Sequence, residues 1–129
     1  METTTATPPP PPAPVFASPT TRTWCILAHA SALVGFVVPF FGHMVGPLII
    51  WLAKRPDSPE IDAHGKESMN FQISMLIYNI VAGILCIILI GIPILILLHF
   101  ANIIFVIIAS IQAGEGRLYR YPMTIRLIN

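Results

Sequence analysis

The sequence predicts an all-α membrane protein: a four-helix bundle with a short or re-entrant second helix, preceded by a disordered proline-rich N-terminal tail. Three observations predict it. Hydrophobic residues make up 55% of the 129 residues and charged residues only 10%, whereas about a quarter of a soluble domain is charged. The apolar residues gather in blocks broken by Pro and Gly. The charges collect between those blocks in a way that sorts them to one side. Mean hydropathy is +0.78, too apolar for a soluble core of this size to hide, so lipid is the expected solvent. The net charge of +1 gives no footing for nucleic acid.

Residues 1–23 hold the run Pro8–Pro12 and many Thr. Such a segment buries too little surface to offset chain entropy and is expected to be disordered and partly polyproline II. It lacks the basic start and adjacent apolar run of a signal peptide.

The first apolar block, residues 24–53, has no Lys, Arg, Asp or Glu and exceeds one span of about 20 residues. Pro39, Gly42, Gly46 and Pro47 interrupt it, so it divides into helices over about 24–38 and 43–54. The second of these would rise only about 18 Å, short of a hydrocarbon core of about 30 Å. It either tilts in thinned bilayer or forms one arm of a re-entrant hairpin. A polar loop follows, where Asp57 or Ser58 can cap, Pro59 suits the first turn and Glu60 complements the dipole. The third helix is expected over about 59–90, interfacial and amphipathic up to Glu67. After the break at Gly91-Ile92-Pro93, the fourth runs over about 93–113 and stops at Gly114 and Gly116.

With four membrane elements, all seven Lys and Arg fall on one side, together with the acidic residues. The positive-inside rule makes that side cytoplasmic. The expected location is the bacterial inner membrane, multi-pass, with both termini in the cytoplasm. Residues 117–128 alternate Tyr119, Tyr121, Met123, Ile125 and Leu127 against Arg120, Pro122, Thr124 and Arg126. That period of two predicts an extended ribbon lying flat on the cytoplasmic interface.

Candidate functional residues fall in two groups. Gln72 and Asn79 on the third helix, with His99 and Asn102 on the fourth, form an intramembrane polar seam. Bare amides in hydrocarbon are costly, so Asn79 and Asn102 are expected to bond to each other across the interface. Ser31 and Gly35 form a small-x-x-x-small pair for close approach on the first helix. His64, Glu67 and Asn70, three apart, line one face of the interfacial helix; with Arg120 and Arg126 they form a candidate docking face. Asp62 and Lys66 can pair at i,i+4. His29, His43, His64 and His99 are expected at separate depths, so no metal is expected. Cys25 and Cys86 are expected near opposite faces, beyond the roughly 7 Å Cα reach of a disulfide.

Several stretches in order, Leu27-Ala28-His29, Pro39-Phe40-Phe41-Gly42, Gly46-Pro47-Leu48-Ile49-Ile50-Trp51-Leu52, His64-Gly65-Lys66-Glu67, Asn70-Phe71-Gln72 and Tyr119-Arg120-Tyr121-Pro122-Met123, resemble a family of small bacterial membrane proteins of unknown function. That family is grouped as Tic-like, after the twenty-kilodalton Tic subunit of the chloroplast protein import translocon. The resemblance covers 24–129 and implies a four-helix membrane fold working with other membrane polypeptides.

The expected function is therefore a non-enzymatic membrane component, with no cofactor, that assists polypeptide translocation, insertion or complex assembly. Its expected partners are the lipid bilayer and other membrane polypeptides or a second copy of itself. The alternative is an oligomeric small-solute or ion channel or transporter built on the Asn79/Asn102 seam. An intramembrane enzyme at His64 and Glu67 ranks last, because no nucleophile or phosphate-binding loop accompanies them.

Overall fold

The computed structural model describes residues 18–38 and 41–129. The tail expected over 1–23 lies outside the described residues up to position 17. Residues 18–23 already belong to the cap and first turns of a helix.

Four α-helices make up the described chain: α1 (Pro19–Ala30), α2 (Gly42–Lys54), α3 (Pro59–Leu85) and α4 (Gly91–Gly114). The described residues contain no β-strand. α1 starts five residues earlier than the apolar block because Ser18 caps it, its hydroxyl accepting from Thr21 N at 3.2 Å, with Pro19 in the first turn. It ends sooner than expected, tightening into a 3-10 segment, Ser31–Phe36. Ser58 caps α3 by accepting from Glu60 N at 3.1 Å. The reversal after α3 occurs at Leu89, which adopts φ 63°, and not at Pro93. Pro93 falls in the first turn of α4, where a missing N–H costs nothing.

The 3-10 segment and α2 pack face to face as a hairpin, and two glycines permit it. A Cβ on Gly35 would stand 2.2 Å from His43 N, and one on Gly46 would stand 2.4 Å from the Ser31 carbonyl oxygen. The expected close approach of Ser31 and Gly35 therefore happens within the hairpin. α1 and the 3-10 segment that follows it pack on α3 and α4 through small side chains: Cys25 of α1 sits with Ile61 and Ala113, and Ala32 of the 3-10 segment with Val106 and Ala109.

α3 with its 3-10 extension (Pro59–Ile88) and α4 are each long and apolar enough to cross a membrane. α4 spans about 36 Å and α2 only about 20 Å. His43, in the first turn of α2, is joined through Gln72 to Asn102. Asn102 is eleven residues, about 17 Å, from the start of α4. On α3 the exposed apolar belt begins at Ile77; on α4 it runs from Ile92 to Ile111.

The C-terminal segment departs from the expected flat ribbon. It packs along α3, with Tyr121 beside Glu67, Met123 beside Tyr78, Ile125 at Ser74 and Ile128 at Asn70. The segment thus runs eleven residues along α3 and doubles back. Met123 makes the turn in the left-handed region, at φ 55°. That turn breaks the period of two: Tyr121 is buried, whereas Met123, Ile125 and Leu127 are exposed.

Candidate functional site

Two polar centres lie inside the bundle, one at each end of the stripe that α3 presents to its neighbours. The deeper one joins three helices. His43 Nδ1 donates to Gln72 Oε1 at 2.9 Å, because a carbonyl oxygen can only accept. Asn102 Nδ2 donates to the same oxygen at 3.0 Å, and Gln72 Nε2 donates back to Asn102 Oδ1 at 3.3 Å. Gln72 is fully buried, so these bonds meet the cost of placing an amide there. The expected Asn79–Asn102 pair does not form. Asn79 Nδ2 donates to the Met75 carbonyl one turn back at 2.8 Å, and the residue facing Asn102 is Gln72. Asn79 lies seven residues, about 10 Å, further along α3 than Gln72, so it stands well past the level at which Asn102 meets Gln72.

Above this centre, between the hairpin tip and the upper parts of α3 and α4, is a cavity of about 910 Å³. Its walls are mostly apolar, from Phe41, Leu76, Ile80 and Ile96, and four polar residues reach it: His43, Asn79, His99 and Asn102. Three of the four expected seam residues therefore border one space, and Gln72 holds its floor. His99 is exposed, not buried in the seam.

The second centre is at the charged end. Glu67, 3% exposed, accepts from Tyr121 N at 2.8 Å and Arg126 Nη2 at 2.9 Å, with Arg120 Nη1 at 3.9 Å. Asn70 Oδ1 accepts from Leu127 N and Ile128 N at 3.1 and 2.8 Å, and its Nδ2 donates to the Ile128 carbonyl at 2.9 Å. Ser74 Oγ accepts from Ile125 N at 2.8 Å, and the Tyr78 hydroxyl donates to the Met123 carbonyl. The spacing 67, 70, 74, 78 follows one helical face, and it serves as a ladder of side chains for a backbone that has no strand to pair with. The face expected to be open for docking is thus covered by the chain's own C-terminal segment. Beside it, the Tyr121 ring stacks on Phe71 at 4.0 Å, and its hydroxyl meets His29 Nδ1 at 2.9 Å. His29 Nε2 meets His64 Nδ1 at 3.0 Å.

The histidines do not keep to four depths: His29 and His64 bond to each other, and His43 and His99 share the cavity. Among the described residues no three His, Cys, Asp or Glu side chains converge as a metal-binding group. The expected Asp62–Lys66 pair forms at 2.7 Å. Lys66, then the Trp51 indole, hold the Asp62 carboxyl below the usual carboxylate range. Tyr121, His29 and Ser74 were not singled out as site residues. The signal for Ser74 was present in the polar i, i+3, i+4 stripe on α3; Tyr121 and His29 gave none, since their partners lie 35 to 92 positions away.

Residues 20–128 match the family model described as the magnetosome magnetite crystal formation protein family. The chain belongs to that family. The assignment overturns the Tic-like resemblance. The translocon role implied by that resemblance falls with it. No curated protein and no solved structure matches the chain. As a member of this magnetosome family with two helices of spanning length, the chain is a bacterial membrane protein.

Proposed function

We propose that the chain is a non-enzymatic, multi-pass component of the bacterial membrane in which magnetite forms, and that it supports crystal formation by docking other membrane polypeptides on its charged end. In this reading α3 and α4 cross the bilayer, the α1–α2 hairpin re-enters it, and both ends of the described chain face the cytoplasm. The observation that carries the reading is the distribution of charge. Residues 23–53 and 68–114 contain no Lys, Arg, Asp or Glu, so the end formed by the hairpin tip and the Leu89 reversal offers no ionic group. A mineral of hard metal and oxide ions is gripped by carboxylates and other charged ligands. With none at that end, contact with partner proteins is favoured over contact with the crystal. The charged end, by contrast, exposes Arg55, Glu115, Arg117 and Arg120.

The test is photo-crosslinking from positions 55 and 120 in magnetite-forming cells, alongside an Arg55→Glu, Arg117→Glu, Arg120→Glu variant. The expected result is discrete adducts with other membrane polypeptides. The variant should lose those adducts and yield smaller crystals at an unchanged membrane level. Normal crystals from a variant without adducts would overturn the reading.

A further inference from the structure

At the charged end a trough of about 680 Å³ lies between the end of α2 and the first turns of α3, walled by Trp51, Arg55, Asp62 and Lys66 and closed on one side by Ile128. We propose that it binds an anionic glycerophospholipid, Arg55 and Lys66 gripping the phosphodiester and the acyl chains lying along α2. The inference rests on the membrane placement proposed above and not on the docking of other polypeptides.

Packing sets the walls in place. Trp51, 8% exposed, lies against Gly65 of α3, where a Cβ would stand 2.3 Å from the Trp51 Cδ1 atom. From there the indole Nε1 donates to Asp62 Oδ1 at 2.8 Å, and Lys66 Nζ meets Asp62 Oδ2 at 2.7 Å. Arg55 lies over the Trp51 ring at 5.3 Å, and among the described residues no carboxylate pairs with it. An arginine held over a ring keeps its N–H fork for two phosphate oxygens. The Lys66 ammonium gives one N–H to Asp62 and keeps two. Two cations against one carboxylate leave the lining side chains a single positive charge, which the single negative charge of a phosphodiester matches.

Depth and surroundings choose a lipid over a soluble phosphate. Residues 23–53 and 68–114 carry no charge, so Trp51 stands just inside the uncharged stretches, and Arg55 and Lys66 just outside them. That is headgroup level, where tryptophan and basic side chains collect and where basic pockets between membrane helices hold acidic headgroups. Val45, Ile49 and Leu52, at helical spacing and each about half exposed, lead away from the trough along α2. A soluble phosphate leaves that stripe bare, whereas acyl chains cover it. Both oxygens of Asp62 already hold a donor, so the carboxylate offers little to the ammonium of an ethanolamine headgroup. A glycerol headgroup brings hydroxyls and no second cation, which selects the anionic lipid.

The test uses the purified full chain carrying Trp24→Phe, which leaves Trp51 as its one tryptophan, in phosphatidylcholine vesicles doped with phosphatidylglycerol brominated on its acyl chains. Bromine quenches indole fluorescence on contact, and the quenching of Trp51 should report about tenfold enrichment of phosphatidylglycerol over phosphatidylcholine, the order that interfacial cations supply. Arg55→Gln, Lys66→Gln should abolish the enrichment; both side chains are solvent-accessible, so the fold is expected to persist. Arg117→Gln, Arg120→Gln removes the same charge from the same end but not from the trough, and should keep the enrichment. Equal loss in the two variants, or loss in neither, would overturn the proposal. So would equal enrichment of brominated phosphatidylethanolamine, or relief of quenching by excess glycerol phosphate, which would give the trough to a soluble ligand. The two readings fail differently: Trp51 unquenched even by brominated phosphatidylcholine defeats the membrane placement itself, whereas equal quenching by both lipids defeats only the lipid site.

Discussion

Glu67 and Arg126, 59 positions apart, meet at 2.9 Å, with the carboxylate 3% exposed and the guanidinium about a third exposed. The pair closes the C-terminal segment over α3, and Tyr121 N gives the same carboxylate oxygen a second donor.

Glu67→Ala should therefore cost about 3 kcal/mol, as expected for losing charge-assisted bonds to a buried acceptor. Arg126→Ala should cost about 1 kcal/mol, because water reaches the guanidinium and screens it. Thermal unfolding in nanodiscs checks the order of the two. Equal losses would show that the carboxylate does not depend on its Tyr121 bond.

The Gln72 centre predicts a strongly non-additive cycle. Gln72→Leu removes the acceptor that His43 Nδ1 and Asn102 Nδ2 share and the donor to Asn102 Oδ1, at about 1–3 kcal/mol for each group left unsatisfied. Asn102→Leu strands part of Gln72. In the double variant the two amides vanish together, and the loss should fall below the sum of the single losses by about 1 kcal/mol or more. Strict additivity would mean that the two amides do not bond.

This centre also shows what the sequence made legible. The polar stripe on α3, the four breaks and the sorting of charge are local patterns; the observed α2 and α4 lie within two residues of the expected bounds, whereas α1 starts five residues and ends eight residues before them. The pairing of Gln72 with Asn102 is not local: it depends on how α3 and α4 rotate about their own axes, which Ala32, Val106 and Ala109 set by packing. The C-terminal segment was misjudged for a related reason. A period of two says that a chain is extended, but not what it leans on, and the left-handed turn at Met123 lies outside what periodicity can show. Glu67 and Asn70, expected on one helical face, hold the chain's own C-terminal segment.

A pH dependence follows from His64, which precedes the apolar belt of α3. Burial pushes its imidazole from 6.5 down to about 4. The folded chain thus holds His64 neutral where the unfolded chain binds a proton. Stability should be flat above pH 7 and fall as pH drops from about 6.5 toward 4. Melting temperature followed from pH 7.5 to pH 5 checks this, and the fall should shrink in His64→Gln. A wild type that gains stability on acidification would contradict the buried, neutral state.

The length difference between α2, 13 residues, and α4, 24 residues, has a consequence for the membrane reading proposed above. If that topology holds, the short hairpin makes the uncharged end of the molecule narrower than the charged end. Wedges that all point the same way do not tile a flat sheet without stretching one leaflet, so in that reading copy number would itself be a lever on curvature.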